Sequence, residues 1–286
     1  MTTMTLAVTG ATGHLGGLVS QDLDAAGIPH RIVARDPASP RVPRHATVTE
    51  VTAAEFGDRE AATRALAGVQ VLFMVSASES ADRLAQHRTF IDAAAAAGVQ
   101  HVVYTSFLGA APDATFTLAR DHYATEEHLK ASGMAWTFLR DSFYLDFTEA
   151  MVGEDGVIRG PARDGACAFV ARADVARTAA TVLADPAEHA LRTYDLTGPQ
   201  ALTLEEVAAT ISAVRGTTVT YHDETVEEAY ASRASYGAPD WQVEAWVSTY
   251  TAIADGSMAT VSTAVRDLTG SQPLGLEEFL RASPSR

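Results

Sequence analysis

Gly10, Gly13 and Gly16 stand three residues apart in Ala7-Val-Thr-Gly10-Ala-Thr-Gly13-His-Leu-Gly16-Gly17, between a short apolar run and a helix-like segment. Each glycine has its own task in such a turn. The first permits a sharp change of direction, the second lets the backbone approach a pyrophosphate, and the third lets helix pack closely on strand. A helix that starts there leaves its first N–H groups without intrahelical partners and points the positive end of its dipole at an anion. A glycine triplet alone says little. A strand before it and a helix after it make it the turn of a dinucleotide site.

The choice of dinucleotide is read at the tip of the second strand, in Ile32-Val-Ala-Arg35-Asp36-Pro37. An acidic side chain there takes the ribose 2′-hydroxyl of NAD, whereas an arginine accommodates the 2′-phosphate of NADP. Arg35 comes first, and Arg41 and Arg44 follow in the same loop. The expectation is therefore NADPH, with NADH kept open by Asp36. The competing reading is a surface pair between Arg35 and Asp36 or Glu50.

Those arginines stand out because the chain is acidic. Its 286 residues carry 36 Asp and Glu against 21 Lys and Arg, a net charge of −15. Such a field repels a phosphate backbone, so direct nucleic-acid binding is not expected, and an anionic cofactor must be met by local N–H groups and placed arginines. No apolar run approaches the roughly 20 residues that span a bilayer. Met1 to Val8 lead directly into a strand without a basic leader region, which reads as no signal peptide. A single cysteine, Cys167, rules out an internal disulfide and suits a cytoplasmic protein. It reads as a small buried apolar residue, not a nucleophile. No His, Cys or carboxylate cluster has metal-ligand spacing, so no metal is expected.

Positioning these groups requires alternating strands and helices. Thr5–Thr9, His30–Ala34, Thr47–Val51, Val69–Val75, His101–Thr105 and Met134–Leu139 read as short strands, several apolar throughout as parallel strands covered on both faces must be. Leu15–Ala26, Arg59–Ala67, Ala81–Ala97 and Leu118–Ala131 read as helices, closed by Gly27, Gly68, Gly98 and Gly133. This alternation predicts an α/β, Rossmann-type doubly wound parallel sheet. Residues 1–150 form the dinucleotide-binding domain, and residues 151–286 a smaller, mostly helical lobe for the substrate, interleaved with the sheet edge. In that lobe the stretch from Gly153 to Gly165 reads as a hairpin or loop, Arg172–Leu183 as a helix and Thr193–Leu196 as a strand. Thr203-Leu-Glu-Glu206 and Thr225-Val-Glu-Glu228 read as capping boxes, and Asp240–Ala254 and Leu276–Arg281 as helices.

The segments Val8–Gly17, Val33–Pro37, Ala96–Ser106, Ser132–Arg140 and Tyr194–Gly198 together resemble the NmrA-like atypical short-chain reductases. Ser76-Ala-Ser-Glu79, Gln86-His-Arg88 and Leu139-Arg-Asp-Ser-Phe-Tyr144 resemble in particular the bacterial NADPH:quinone oxidoreductases and triphenylmethane reductases of that group. The resemblance implies that Gly10, Thr12, Gly13, His14 and Leu15 wrap the pyrophosphate and that Arg35 meets the 2′-phosphate. It implies that Ser76, Ala77 and Ser78, with Gln86 nearby, line the path from adenosine to nicotinamide. Asp141, Ser142, Phe143 and Tyr144 would close over the nicotinamide. The family's usual residue at the Asp141 position is asparagine.

Short-chain dehydrogenases commonly carry a Tyr-x-x-x-Lys pair on the helix after the fifth strand, where the lysine lowers the phenol's pKa. Lys130 is the only lysine here, and Glu126 stands four residues before it. Tyr123 is followed at that spacing by Glu127, which opposes phenolate formation. Alcohol–ketone chemistry through that pair is excluded. If Leu118 holds the tyrosine's place, His122 holds the lysine's, as a proton donor or ribose contact; otherwise it is a half-exposed helix histidine. Tyr123 is a second catalytic candidate. Tyr144 and Tyr123 read either as pocket walls or as core, and Phe107 and Trp241 as walls of an acceptor pocket.

The expected function is hydride transfer from NADPH to a quinone or similar conjugated, aromatic acceptor, which needs proximity and a dry pocket more than a tuned acid. A non-catalytic NADP(H) sensor acting through a protein partner is the alternative, and a reductase or isomerase of a polycyclic aromatic product is a third reading. A homodimer is left open.

Overall fold

Apolar tetrapeptides and heptapeptides with little room for water form the centre of the protein. Its computed structural model describes residues 5–283; Met1 to Met4, part of the stretch expected to lead into the first strand, lie outside the described residues. The strands are β1 (Leu6–Thr9), β2 (His30–Ala34), β3 (Val48–Ala53), β4 (Val71–Met74), β5 (His101–Phe107), β6 (Ala135–Asp141), β7 (Val157–Gly160), β8 (Ala166–Cys167), β9 (Arg192–Leu196), β10 (Leu202–Thr203) and β11 (Thr220–Asp223). The helices are α1 (His14–Ala25), α2 (Arg59–Ala65), α3 (Arg83–Ala97), α4 (Thr117–Ala131), α5 (Arg172–Ala184), α6 (Leu204–Arg215), α7 (Val226–Arg233), α8 (Asp240–Ala254), α9 (Ala264–Thr269) and α10 (Leu276–Ala282).

Seven strands form one sheet in the order β3-β2-β1-β4-β5-β6-β9. The pairings of β1 with β2 and β4, of β2 with β3, and of β4 with β5 are parallel. Every residue of β1, β4 and β5 is buried, as strands covered on both faces must be. At the sheet edge β3 is half-buried at Val48, Val51 and Thr52 and exposed at Thr49, Glu50 and Ala53. The chain runs outward from β1 to β3 and returns to β4 on the other side of β1. That reversal creates a crevice beyond the carboxyl ends of β1 and β4, where ligands of open α/β sheets bind. The sheet and its helices are Rossmann-type, as expected from the sequence. Gly27, Gly68, Gly98 and Gly133, which follow the helices, all adopt the left-handed conformation.

The fold divides into two compact units, each drawn from three stretches of the chain. The first takes the chain up to Ser106, with Asp121–Arg140 and Val175–Tyr194. Its core joins Ala7, Leu72, Met74, Phe90, Ile91, Tyr104, Leu129 and Phe138. The second takes Phe107–Arg120, Asp141–Asp174 and the chain from Asp195. Its core joins Phe107, Phe116, Leu145, Phe169, Val207, Ile211 and Ile253.

In the second unit both capping boxes form, Thr203 with Glu206 and Thr225 with Glu228. The glycine-rich stretch from Gly153 turns, with the Gly153 N–H donating to the Val157 carbonyl at 3.0 Å. A single antiparallel bridge, Val152 to Ile158, closes this turn, and β7 also pairs in parallel with β11, from a distant part of the sequence. The helix α9 has no counterpart in the sequence reading: at six residues it is too short to show a periodic stripe.

Candidate cofactor and acceptor site

The glycine turn has the shape its spacing predicts. Gly10 adopts a φ of +67° and accepts the Gly13 N–H at 2.9 Å. A Cβ on Gly16 would lie 2.5 Å from the Gly10 carbonyl, so any side chain there would push α1 off the turn. Gly13 is the N-cap of α1, extended and unable to cap with a side chain, and the first turn holds no acidic residue. The initial N–H groups of the helix are thus left to an external acceptor. Gly10, Gly13 and His14 are exposed, Thr12 is half-buried and Leu15 is buried beneath. A dinucleotide pyrophosphate fits this cradle.

Arg35 lies just past β2, exposed, and makes no ion pair among the described residues. The pairs that competed for it are used elsewhere. Glu50 binds Arg31 at 2.8 Å, and the Asp36 carboxylate accepts the Ala38 N–H at 2.9 Å. Arg41 and Arg44 are also exposed in this loop. Three exposed guanidinium groups in the loop that follows β2, the strand paired with β1, suit a 2′-phosphate.

The segment after β4 is irregular, yet each of its first three N–H groups is held by a side chain. Val75 donates to Thr9 Oγ1 at 2.9 Å, Ser76 to Thr105 Oγ1 at 2.8 Å and Ala77 to His87 Nε2 at 2.8 Å. The Ala77 carbonyl accepts Arg83 Nε at 2.9 Å. Ser76 and Ala77 are therefore presented on a fixed backbone, with Ser78 exposed beside them. Gln86, half-buried on the first turn of α3, hydrogen-bonds the Asp82 carboxylate. The sequence reading missed Thr9, Thr105 and Arg83. The i, i+4 spacing of Arg83 and His87 on one helix was the available signal.

The inward face of α4 is buried and paired. His122 is 6% exposed, not half-exposed. Its Nε2 accepts Arg83 Nη2 at 2.9 Å, and its Nδ1 lies 2.9 Å from Tyr104 Oη. Because a guanidinium only donates, the hydrogen must sit on Nδ1 and be given to Tyr104. Burial and the Arg83 charge push the imidazole well below its usual pKa, so it is neutral. His87 is arranged alike: Nε2 accepts from Ala77, Nδ1 donates to Thr125 at 2.9 Å, and burial pushes its pKa down to about 3. One turn on, Glu126 is fully buried, held by Arg140 Nε and Nη2 at 2.8 and 2.6 Å and by Ser106 at 2.5 Å. Lys130 pairs with Glu127 at 2.7 Å and lies over the rings of Trp136 and Phe138. Tyr123 is half-buried, with no hydrogen bond to its phenol among the described residues.

The remaining expected residues belong to the second unit. Phe107, the last residue of β5, packs its ring 5.0 Å from Phe143 and 4.7 Å from Phe116. Ser142 is buried with Oγ 3.6 Å from the Cys167 thiol, which burial pushes up to about 12. Cys167 is thus inert. Tyr144 donates to Asp141 Oδ2 at 2.7 Å, while the Arg172 guanidinium lies 5.0 Å from its ring centre. Asp141 ends β6 and is 2% exposed; burial pushes its carboxyl up to about 8, against the pull of the Tyr144 hydrogen bond. Trp241 is half-buried on the first turn of α8. Among the described residues no group of His, Cys, Asp or Glu is placed to hold a metal ion, and no helix is long and apolar enough to cross a membrane.

Known proteins are similar to this chain over most of their length. The quinone oxidoreductase 2 of Escherichia coli is 39% identical over 240 residues, covering 82% of this chain and 83% of its own. The crystal structure of an NADPH-dependent quinone oxidoreductase from E. coli, complexed with NADPH, superposes with a TM-score of 0.86 at 34% identity, covering 96% and 98% of the two chains. The Citrobacter sp. triphenylmethane reductase complexed with NADP(H) gives a TM-score of 0.85 at 32% identity, covering 96% and 99%. The model of the NmrA-like family matches residues 2–280, so the glycine cradle, the α4 helix and the Asp141–Tyr144 segment all lie within it, and the chain belongs to the NmrA-like family.

Proposed function

We propose that this protein is an oxidoreductase that uses NADPH to reduce quinones or similar conjugated acceptors. The observation that carries this reading is the open glycine cradle at the start of α1, with Arg35 free of ion pairs at the end of the neighbouring strand. The relatives described above, NADPH-linked reductases of quinones and dyes, point the same way.

NADPH, when bound, supplies the hydride. The backbone from Gly10 to Leu15 holds the pyrophosphate, and Arg35, with Arg41 and Arg44 in its loop, meets the 2′-phosphate. Ser76, Ala77 and Ser78 lie along the dinucleotide, on a backbone fixed at Ser76 and Ala77 by the Thr105 and His87 acceptors. In the second unit, Ser142, Phe143 and Tyr144 are assigned to the nicotinamide end, and Phe107, Tyr144 and Trp241 to the acceptor. His122 acts as a positioning residue, because both of its ring nitrogens are engaged. The phenol of Tyr123 is left for a contact with cofactor or acceptor.

The acceptor class follows from what α4 lacks. Where a Tyr-x-x-x-Lys pair would act, His122 and Glu126 are locked into protein contacts. A delocalised acceptor tolerates that, since the hydride enters a conjugated system and the negative charge spreads over it.

Purified protein mixed with NADPH and a panel of quinones and cationic dyes, followed by loss of NADPH absorbance, tests the reading. Oxidation that requires both protein and acceptor is expected. No oxidation in samples where NADPH binding is confirmed would overturn it and leave the sensor reading.

A further inference from the structure

Asp141 holds the one catalytic resource that α4 lacks. Its Oδ2 accepts the Tyr144 phenol at 2.7 Å, whereas its Oδ1 is buried and meets no hydrogen-bond partner among the described residues. A buried polar atom left unmatched is costly and calls for an explanation such as an absent water or ligand. When the carboxyl is neutral, the Tyr144 bond on Oδ2 leaves the proton on Oδ1, as a donor the protein does not use.

We infer that Asp141 is a general acid, passing its Oδ1 proton, directly or through one water, to the oxygen of the acceptor as that acceptor is reduced. This rests on the reductase reading above. The quinone takes a hydride with its electron pair, negative charge moves to a carbonyl oxygen, and the Oδ1–H bond breaks as the new O–H bond forms. The carboxylate then regains a proton from solvent. Burial keeps the acid charged with its proton at neutral pH. In the same unit the pair faces Arg172, 5.0 Å from the Tyr144 ring centre and 4.0 Å from Asp146. Arg172 and Asp146 act on the Tyr144 phenol, which is held well above its ordinary range chiefly by burial. The nearby Cys167 thiol stays neutral.

A quinone and a triphenylmethane dye separate proton transfer from hydride transfer. The dye is a carbocation, and hydride alone completes its reduction; the quinone also needs a proton. In Asp141→Asn the ratio of quinone rate to dye rate falls by about tenfold or more, within the range of general-acid catalysis. The wild-type quinone rate declines above pH about 8 while the dye rate does not follow. By infrared difference spectroscopy, wild type at pH 7 shows a protonated-carboxyl band that Asp141→Asn lacks. An unchanged rate ratio, or no such band, overturns the inference. Wild type that reduces neither acceptor overturns the reductase reading and this role with it, while a band still present would show that the buried acid itself was read correctly.

Discussion

Arg83 gives an Nη2 hydrogen to Nε2 of His122 across 2.9 Å, and that bond sets the tautomer of the histidine. The imidazole must then give its own hydrogen to Tyr104, so a single buried ring links α3, α4 and β5. Arg83 also holds the Ala77 carbonyl. Through Arg83, this buried histidine is linked to the backbone that follows β4.

His122→Ala should therefore behave as a stability variant. It leaves a buried donor on Arg83 and a buried acceptor on Tyr104 unmatched, at a cost of about 2–4 kcal/mol, read as a lower denaturation midpoint. Because His122 and His87 stay neutral in the fold, the unfolded chain alone takes up their protons below pH about 6.5, and the fold weakens as pH falls. The variant should lose part of this acid sensitivity and keep the shape of its kcat profile between pH 5 and 8. Disappearance of a kinetic limb near neutrality would restore His122 as a proton donor.

Arg35→Ala tests the proposed charge-assisted contact to the 2′-phosphate, a group that NADH lacks. The expected effect is a loss of roughly ten- to a hundredfold in NADPH affinity, by the strength of such bonds, with NADH affinity little changed. Titration of each dinucleotide by fluorescence or calorimetry decides it. Equal losses would take the 2′-phosphate away from Arg35.

Glu126 has no exposed surface and its carboxylate is gripped by Arg140 and Ser106. Removing one partner of a buried ion pair leaves the other charge uncompensated. Glu126→Gln should cost about 3–5 kcal/mol of stability in denaturant unfolding. A change below about 1 kcal/mol would mean that water reaches the guanidinium and screens it.

Asp141 has the opposite dependence on pH from the buried histidines. Its carboxyl loses its proton only near pH 8 in the fold but near 3.8 when unfolded. Between these values the folded chain holds the extra proton, so stability falls as pH rises, by up to about 1.4 kcal/mol per unit. In Asp141→Asn the thermal midpoint should decline less between pH 5 and pH 8 than in wild type. Parallel curves would show that the carboxyl ionises as an ordinary surface acid does.

Some of this was legible before any fold was known. The glycine spacing, the apolar runs and the glycines that close helices depend on neighbours in the chain, and β2 and α8 fall at the residues expected for them. The absence of a Tyr-x-x-x-Lys pair also needed no structure, because a single lysine settles it. The state of Asp141 was beyond reach. In sequence it is one acidic residue among many, and its neutrality comes from the surfaces that bury it, against the pull of the Tyr144 hydrogen bond.

The local periodicity of the chain determined the doubly wound sheet and the dinucleotide turn, since strand, turn and helix formation act over a few residues. Tertiary structure alone decided which polar side chains were left for chemistry. It spent His122, His87 and Glu126 on Arg83, Ala77 and Arg140, 39, 10 and 14 residues away, and left Arg35 without an ion pair and one oxygen of Asp141 without a hydrogen bond among the described residues. Burial and long-range pairing set those roles, and neither is written in the order of the residues.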